Sequence, residues 1–485
     1  MPLFAGADIG TTTLKAGIFD DAGCLLRERS IPHPASRKYG WDGVDPVALF
    51  RSLAALLRDV IGPDGGAVEG ISFSSFGETV FPVNRDAPLH HGIHWYEKCT
   101  RPQFDRVLLR TTMRRIREVT KLDVSWTYSA AKMLKFKEDF PEEYGKTLAF
   151  LDASSYLAFM LTGDIAFDLS LASRTQLLDL TRGEWSAEMA ELWEIDIEKL
   201  PPLTMSTKPR GTLRAKTASE LGVRKGTTVT VAGHDHIAGA LGSGVSRFDQ
   251  GLISVGTSAA FFSPMPPEAF DTKDYLSRDT MSGGYSAWPG GMNALTGMNA
   301  GGFCVDWFIH KVMSRDYGVL DEFARGFVKT DALFLPNLRA QVAKLPPGGF
   351  TCISDSDTGL SLLQSIMEAI AFECRNTFKD IFRAKRMEDG MKEVTMMGGG
   401  ALNAPFVKIL ANTLNAPIKV HRYPHSAGLL GCAMASAIAS GFFKTHEQAS
   451  AMLGQGTEYH PDNAELSDYL REKFTRHMAA FRGGE

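Results

Sequence analysis

The stretch Ala7-Asp8-Ile9-Gly10-Thr11-Thr12-Thr13-Leu14-Lys15 decides the fold of this chain. A short apolar segment, residues 3–7, precedes it. After it, Leu14, Ala16 and Ile18 alternate with other residues, and this is the period of a β-strand rather than a helix. The pattern therefore predicts a Gly-Thr-Thr-Thr turn that joins two strands.

Such a turn suits a phosphate ligand. Its backbone N–H groups and the hydroxyls of Thr11, Thr12 and Thr13 can donate to phosphate oxygens. Asp8, at the end of the first strand, is placed to hold a Mg²⁺ ion that neutralises the phosphates. A helix-leading phosphate loop would need Gly-Lys-Ser/Thr or Gly-x-Gly-x-x-Gly, and this stretch has neither. An ordinary hairpin is the alternative interpretation.

A second copy of the pattern strengthens the phosphate interpretation. Residues 252–262 repeat the layout of strand, Gly256-Thr257-Ser258 and strand, about half the chain away. Two related halves, each with a hydroxyl-lined turn, favour a cleft that grips one polyphosphate from both sides. Coincidence between two short strings is the alternative.

Composition sets the class of protein. A chain of 485 residues exceeds what one hydrophobic core usually supports, so two domains are expected. The net charge of −4 argues against a nucleic-acid surface. Six scattered cysteines without a Cys-x-x-Cys pair favour reduced thiols over disulfides or zinc. Because no targeting segment and no apolar run of ~18 residues occurs, we expect a cytoplasmic protein with no membrane partner.

Two stretches of the first half offer sugar-binding groups. Glu78 stands between two strand-like segments, where its carboxylate either meets solvent or accepts hydrogen bonds from a polyhydroxylated ligand. Trp95 lies among polar residues and is a candidate wall for a sugar, although a buried structural Trp is the commoner case. Further along, the sequence predicts a helix from Phe104 to Arg117.

The segment around Asp235 is the third informative stretch. A β-branched strand, residues 228–232, stops before a small-residue helix that starts near Asp235. An acidic residue there caps the helix. The same position at the carboxyl end of a strand also suits a general base that accepts a proton from an attacking hydroxyl. A metal site built from His234, Asp235 and His236 is the least favoured alternative, because such neighbours seldom converge on one ion.

The second half repeats the alternation of strands and helices. A strand at Glu393–Met397 leads into Gly398-Gly399-Gly400-Ala401, and a helix follows. Glycines in this position let a flat ligand approach the backbone closely. A plain tight turn is the alternative.

Taken together, these motifs resemble those of the FGGY carbohydrate kinases. Asp8 to Thr12, Gly233-His234-Asp235, Gly256-Thr257-Ser258 and Gly398 to Ala401 occur in that family's order and spacing, and the resemblance spans nearly the whole chain. It implies an α/β protein with the two-domain actin/hexokinase/Hsp70-like (ribonuclease H-like) fold, in which mixed sheets flanked by helices surround a hinged cleft. The N-terminal domain, residues 1–245, would bind sugar and carry the catalytic base, and the C-terminal domain, residues 246–485, would bind nucleotide.

The resemblance also implies roles for individual residues. Asp235 would be the general base, and Asp8 and Asp235 would face Mg²⁺. Sugar contacts would come from Glu78, Trp95, Asp235 and His236. The residues that would bind ATP are Thr11, Thr12, Thr13, Gly256, Thr257, Gly302, Gly400 and Ala401.

The sugar or polyol that accepts the phosphate stays open, because the sequence departs from the pattern of the family it resembles on the substrate side. The segment Phe76-Gly77-Glu78-Thr79 resembles the Gln-Arg-Glu-Thr segment of glycerol kinases, but Gly77 replaces the Arg, so glycerol is disfavoured. His236 replaces the Gln or Asn usual beside the base.

We therefore expect an ATP-dependent kinase that phosphorylates a ketopentose, ketohexose or polyol, with a homodimer as one oligomeric alternative. Two rival functions share the fold. An Hsp70- or actin-like ATPase would not need Glu78, Trp95 and an Asp235 base. A sugar-binding regulator without catalysis would not need Asp8 and Asp235.

Overall fold

The computed structural model describes residues 1–278, 280–298, 301–338, 346–387, 391–461 and 464–482. The chain divides into two compact units. The first comprises residues 1–246, 265–294 and 427–454, and the second comprises residues 247–264, 295–426 and 455–485. The chain first passes from one unit to the other after residue 246, next to the predicted boundary between residues 245 and 246. Residues 265–294 and 427–454, which follow this boundary in the sequence, belong to the first unit again. The division into an N-terminal domain of residues 1–245 and a C-terminal domain of residues 246–485 stays a prediction.

The strands in chain order are β1 (Leu3–Ile9), β2 (Thr13–Asp20), β3 (Leu25–Pro32), β4 (Ala35–Ser36), β5 (Gly43–Val44), β6 (Val68–Ser75), β7 (Val80–Val83), β8 (Gly92–Ile93), β9 (Ala149–Asp152), β10 (Phe167–Asp168), β11 (Leu178–Asp179), β12 (Glu184–Trp185), β13 (Leu203–Thr204), β14 (Pro209–Thr212), β15 (Thr228–His234), β16 (Gln250–Val255), β17 (Ala259–Met265), β18 (Ser282–Tyr285), β19 (Met292–Met298), β20 (Leu333–Leu335), β21 (Gly349–Thr351), β22 (Glu393–Met397), β23 (Ile418–Val420) and β24 (Thr457–Tyr459).

The α-helices are α1 (Pro46–Ile61), α2 (Arg101–Leu108), α3 (Met113–Thr120), α4 (Ser129–Asp139), α5 (Pro141–Lys146), α6 (Ala153–Thr162), α7 (Leu169–Ala172), α8 (Ala187–Leu192), α9 (Ala215–Leu221), α10 (Asp235–Gly242), α11 (Lys273–Leu276), α12 (Gly302–Trp307), α13 (Gly359–Lys385), α14 (Ala404–Leu414), α15 (Ala427–Ala439), α16 (His446–Ala449) and α17 (Ala464–Arg482).

The first unit is built on a six-stranded mixed sheet in the order β14-β15-β6-β1-β2-β3. Strands β1, β6 and β15 run parallel, and β1 and β2 form the predicted antiparallel hairpin. Helix α15 packs on β1, β6 and β15. It lies very close to the sheet, because a Cβ at Gly6 would be 2.6 Å from the carbonyl oxygen of Leu429. The strand glycine is needed for this helix–sheet contact.

The second unit repeats this plan. Strands β17, β16, β22, β23 and β24 are adjacent in that order. Strands β16 and β17 form the second predicted hairpin, and β16, β22 and β23 run parallel. Helices α13, α14 and α17 pack on one another. Both hairpin predictions are confirmed, as is the mixed α/β class.

One predicted helix is wrong as a continuous element. The chain between Phe104 and Arg117 forms two helices, α2 and α3. Thr112 is the N-cap of α3, and its side chain accepts from the backbone N–H of Arg115 at 3.1 Å. A threonine cap starts a new helix because it satisfies a first-turn N–H group. Across the described ranges, no helix combines the length and the apolar character that a membrane crossing requires.

Candidate active site

The candidate active site of the first unit lies where three parallel strands end. Asp8 on β1 is in register with Ser74 on β6, and Ser75 on β6 is in register with His234 on β15. Since parallel strands bring their carboxyl ends to one edge of a sheet, this edge carries Asp8, Glu78 just after β6, and Asp235 just after β15. Residues far apart in sequence thus form one polar group.

Asp8 is a partly buried carboxylate with a neighbouring acid. Its Oδ1 accepts a hydrogen bond of 2.7 Å from the Ser74 hydroxyl. Burial and the charge of Asp235 raise the pKa of Asp8 to about 6, against the lowering effects of Ser74, Lys15 and His236. Two mutually repelling carboxylates are a favourable place for a cation.

Asp235 is the first residue of α10, and its side chain is 30% exposed. Its Oδ1 accepts from the backbone N–H of His236 at 2.7 Å. Burial acts to raise its pKa, but His236, His234, that N–H group and Arg174 outweigh burial, so the pKa lies below its usual value. The carboxylate is therefore ionised at neutral pH. It satisfies one first-turn N–H and keeps its second oxygen for another partner.

Asp8 and Asp235 fit a Mg²⁺ ion of the kind found in phosphoryl-transfer sites. Mg²⁺ is held there by one or two carboxylates together with water and substrate phosphates. Among the described residues, no group of three or more His, Cys, Asp or Glu side chains has the arrangement of an all-protein metal site. The geometry thus gives no support to a site formed by His234, Asp235 and His236.

Glu78 is bound by an arginine that the sequence analysis missed as a site residue. The side chain of Glu78 is 8% exposed, and its Oε1 lies 2.8 Å from both Nε and a terminal nitrogen of Arg174. The alternative of a solvated carboxylate is therefore wrong. Glu78 has a φ of 66°, an uncommon conformation for a non-glycine residue that is found preferentially at functional sites.

Arg174 is itself held in place by a buried network. Its guanidinium lies 5.1 Å from the centroid of the Tyr128 ring. The hydroxyls of Tyr128 and Ser282 both donate to Asp123. Arg174 lies in Ala172-Ser173-Arg174-Thr175, a lesser motif of the resemblance to the FGGY kinases, and the motif itself says nothing of its partner.

Gly77 explains how Arg174 reaches Glu78. A Cβ at Gly77 would lie 3.0 Å from the ring of His234 and 3.3 Å from the Cβ of Arg174. A larger residue at position 77 would displace one of these side chains. The glycine that replaces the arginine of glycerol kinases therefore leaves room for an arginine from another element.

Trp95 contacts the first Gly-Thr turn. Its indole N–H donates to the Thr11 hydroxyl at 3.0 Å, and the residue is 38% exposed. The alternative of a buried structural Trp is therefore wrong. His236 lies at the same edge, with its Nε2 4.0 Å from Oδ1 of Asp235. The structure thus brings the predicted sugar-binding residues of the first unit to one edge of its sheet.

The second Gly-Thr turn borders a pocket of the second unit with a volume of about 680 Å³. Gly256, Thr257, Gly302 and Gly400 line it, together with Gly399, Asp306, Asp321, Tyr317 and His425. This size is typical of a small-molecule or cofactor site. Ala401 is 4% exposed and lies outside the lining, so its predicted contact with nucleotide stays a prediction.

The glycines beside this pocket have two different roles. A Cβ at Gly400 would lie 2.7 Å from Cβ of Val255, and a Cβ at Gly398 would lie 2.5 Å from the Val255 carbonyl oxygen. A Cβ at Gly399 would meet only the ring of His425, at 3.5 Å. Gly398 and Gly400 are therefore required for packing, whereas Gly399 leaves the pocket wall open.

Comparisons with known proteins find similar chains. The chain is 26% identical to the xylulose kinase of Bacillus subtilis (strain 168) over 491 residues, which cover 97% of this chain and 95% of that protein. Its structure resembles that of ligand-bound xylulose kinase from Lactobacillus acidophilus, with a TM-score of 0.86, 20% identity and coverage of 98% and 97%. It also resembles gluconate kinase from the same organism, with a TM-score of 0.86, 20% identity and coverage of 98% and 96%.

The structural likenesses confirm the predicted fold class. Two family models cover most of the sequence. The N-terminal domain of the FGGY family of carbohydrate kinases matches residues 3–242, and the C-terminal domain of that family matches residues 251–440. This chain belongs to the FGGY family of carbohydrate kinases.

Proposed function

We propose that this chain catalyses the ATP-dependent phosphorylation of a ketose or polyol hydroxyl, with xylulose as the first acceptor to test. The observation that carries the proposal is the meeting of Asp8, Glu78 and Asp235 at one edge of the sheet. Phosphoryl transfer to an alcohol needs a base, a group that holds a cation and a group that orients the alcohol. Asp235, Asp8 and Glu78 could supply these in that order. The choice of xylulose rests on relatives with that name.

Asp235 is the proposed general base. The acceptor hydroxyl transfers its proton to the carboxylate while its oxygen forms a bond to the γ-phosphorus and the bond from phosphorus to the ADP oxygen breaks. The pKa of Asp235 lies below its usual value because its neighbours outweigh burial, so the base is ionised at neutral pH. Asp8 and Asp235 would hold Mg²⁺, which neutralises phosphate charge when bound.

The acceptor is oriented by the remaining groups of the edge. Both contacts of Arg174 go to Oε1 of Glu78, which leaves Oε2 to accept from a sugar hydroxyl. Trp95 offers an exposed indole face to the C–H face of the sugar. In the second unit, Thr257 and the glycine-lined pocket hold the nucleotide.

The test is an acceptor panel. Sugar-dependent ADP formation is measured with pentuloses, hexuloses, polyols and gluconate, each with ATP and Mg²⁺. We expect at least one ketose to raise the rate far above the rate without sugar. ADP formation that no sugar stimulates would favour the ATPase alternative, and sugar binding without ADP formation would favour a regulator.

A further inference from the structure

The first unit also contains a pocket, called here the second pocket, that lies away from the site residues described above. Its volume is about 650 Å³, close to that of the nucleotide pocket and within the range of small-molecule sites. Its wall combines three segments: residues 205–209, the last part of α10 with the loop after it, and the end of α15 with residues 444–450. Trp288 completes the lining.

The charge of this second pocket favours an anion. Lys208 and Lys444 line it and are exposed, and neither forms an ion pair with a carboxylate in the part of the chain that the structure describes. The lining contains one carboxylate, Glu447. The hydroxyl of Thr207 also lines the pocket, 3.4 Å from Nε2 of His446, and a hydroxyl can donate to a phosphate oxygen. The hydroxyl of Ser450 donates instead to the carbonyl oxygen of His446 at 3.1 Å.

The apolar part of the wall indicates that the anionic ligand also carries a carbon skeleton. Trp288, Leu241, Met434 and Ile438 face the same volume. An indole packs well against the C–H face of a sugar. The geometry points to a binding site for a small organic phosphate, in which the lysines bind the phosphate and Trp288 contacts the carbon skeleton.

Two helices extend from this pocket to the sheet edge that carries Asp8 and Asp235. Helix α10 begins at Asp235, and its residues Ala240 and Leu241 line the pocket, about 9 Å further along the helix axis. Helix α15 begins beside Asp8, because a Cβ at Gly428 would lie 3.7 Å from Oδ2 of that carboxylate. Its far end supplies Met434 and Ile438 to the pocket.

Helices α10 and α15 pack so closely that their backbones are in contact. A Cβ at Gly431 would lie 1.9 Å from the carbonyl oxygen of Ala238, and a Cβ at Gly242 would lie 2.0 Å from that of Ala427. Close-packed elements of this kind transmit a displacement rather than absorb it. A ligand that shifts their far ends therefore alters the placement of Asp8 and Asp235.

A hydrogen-bonded chain makes a second connection. Ser206, which lines the pocket, donates to Oδ2 of Asp168 at 2.8 Å. Ser170 donates to Oδ1 of Asp168 at 2.6 Å and accepts from the backbone N–H of His234 at 3.0 Å. His234 directly precedes the proposed base. Occupancy of the pocket is therefore expected to change sugar kinetics, a part of the inference that rests on the proposed function.

Binding is tested without turnover, using ribose 5-phosphate as the probe and tryptophan fluorescence as the signal. We expect a saturable fluorescence change that Trp288→Phe removes. The double variant Lys208→Gln/Lys444→Gln should weaken binding at least ~10-fold, because each lysine makes a charge-assisted contact. Lys225→Gln, an exposed lysine outside the pocket, is the matched control and should leave the Kd unchanged. Melting temperatures check that each variant is folded.

Equal Kd values for the wild type and the double variant would overturn the site, since the probe would then bind elsewhere. Equal affinity for inorganic phosphate and ribose 5-phosphate would overturn the assignment to an organic phosphate. The coupling is tested by sugar kinetics, in which ribose 5-phosphate should change kcat/KM for the sugar about fivefold or more in the wild type and not in the double variant. If ribose 5-phosphate binds and the sugar kinetics do not change, the coupling is refuted. If the proposed function is wrong, no sugar-dependent turnover is seen even when ribose 5-phosphate is absent.

Discussion

The two Gly-Thr turns share a sequence pattern but differ in length and surroundings. In the first hairpin the last cross-strand pair is Ile9 with Leu14, so Gly10 to Thr13, including the first residue of β2, lie between the paired residues. In the second hairpin Val255 pairs with Ala259, so the turn contains only Gly256 to Ser258. The first turn is therefore one residue longer and offers one more hydroxyl residue.

The surroundings of the two turns differ more than their lengths. Asp8 stands two residues before Gly10, and Ser254 holds the same place before Gly256. The first turn is held by the hydrogen bond from the N–H of His33, the residue after β3, to Thr12 O at 2.9 Å. The second turn is held by the bond from the N–H of Gly302, the first residue of α12, to Gly256 O at 2.8 Å. The two hairpins thus share a turn pattern but differ in the residue that precedes it, a carboxylate in the first unit and a hydroxyl in the second. The proposal that both turns support phosphate, and that the carboxylates make the first one catalytic, is tested by the variants below.

The largest expected effect comes from Asp235→Asn, beside the first turn. Asn keeps the size and helix-capping ability of Asp but cannot accept the proton. Sugar-dependent kcat should fall by at least ~10²-fold, while the ATP Kd and melting temperature change much less. Asp59→Asn, an exposed position on α1, is the control. Near-normal turnover together with much earlier melting would identify Asp235 as a structural residue.

Glu78→Gln should separate acceptor binding from nucleotide binding. The substitution leaves Arg174 without its anionic partner and weakens a charge-assisted hydrogen bond to the sugar, so KM for the sugar should rise ~10-fold or more. KM for ATP should be nearly constant. Glu220→Gln on α9 serves as the control. A change confined to the ATP parameters would contradict the substrate-side assignment of Glu78.

Gly10→Ala and Gly256→Ala form a matched pair that tests the structural difference between the turns. A Cβ at Gly10 would lie 2.9 Å from the carbonyl oxygen of Thr13, whereas a Cβ at Gly256 would meet only Ser258 O, at 4.0 Å. Gly10→Ala should lower the free energy of unfolding by about 1–3 kcal/mol, and Gly256→Ala should leave it nearly unchanged. Denaturant unfolding of both variants provides the measurement. Equal losses of stability would remove the distinction.

Thr257→Val tests whether the second turn serves the nucleotide. Loss of one hydroxyl contact to a phosphate should raise the ATP Kd about threefold to tenfold, with little change in sugar affinity measured without nucleotide. Thr12→Val provides the comparison in the first turn, where we expect the larger effect on kcat. Equal losses of ATP and sugar affinity in Thr257→Val, with the fold intact, would count against the assignment.

The last prediction concerns the pH dependence that Asp8 adds to stability. Its folded-state pKa is raised to about 6, so between about pH 4 and 6 the folded state binds more protons than the unfolded state, and stability falls as pH rises. Asp8→Asn should therefore be about 1–2 kcal/mol more stable than the wild type at pH 8 without Mg²⁺, and the difference should vanish near pH 4. Thermal unfolding at both pH values tests this. A less stable variant at pH 8 would show that Asp8 is not under electrostatic strain.

The sequence by itself determined the local elements of this protein. Both hairpins, the strand before Asp235 and the helix that starts there follow from side-chain period and turn residues within a few positions of one another. The family also followed from the sequence, because its motifs lie in order along the chain. The helix expected over residues 104–117 failed at Thr112, where a local capping bond outweighed the helical pattern.

Only the tertiary structure decided which distant groups meet. The Arg174–Glu78 pair, the Trp95–Thr11 hydrogen bond and the return of residues 427–454 to the first unit depend on the order of strands in the sheet. No local pattern encodes that order. The opposite pKa shifts of Asp8 and Asp235 likewise arise from burial and from charges brought close by folding, since a carboxylate in an extended chain is solvated and has few charged neighbours.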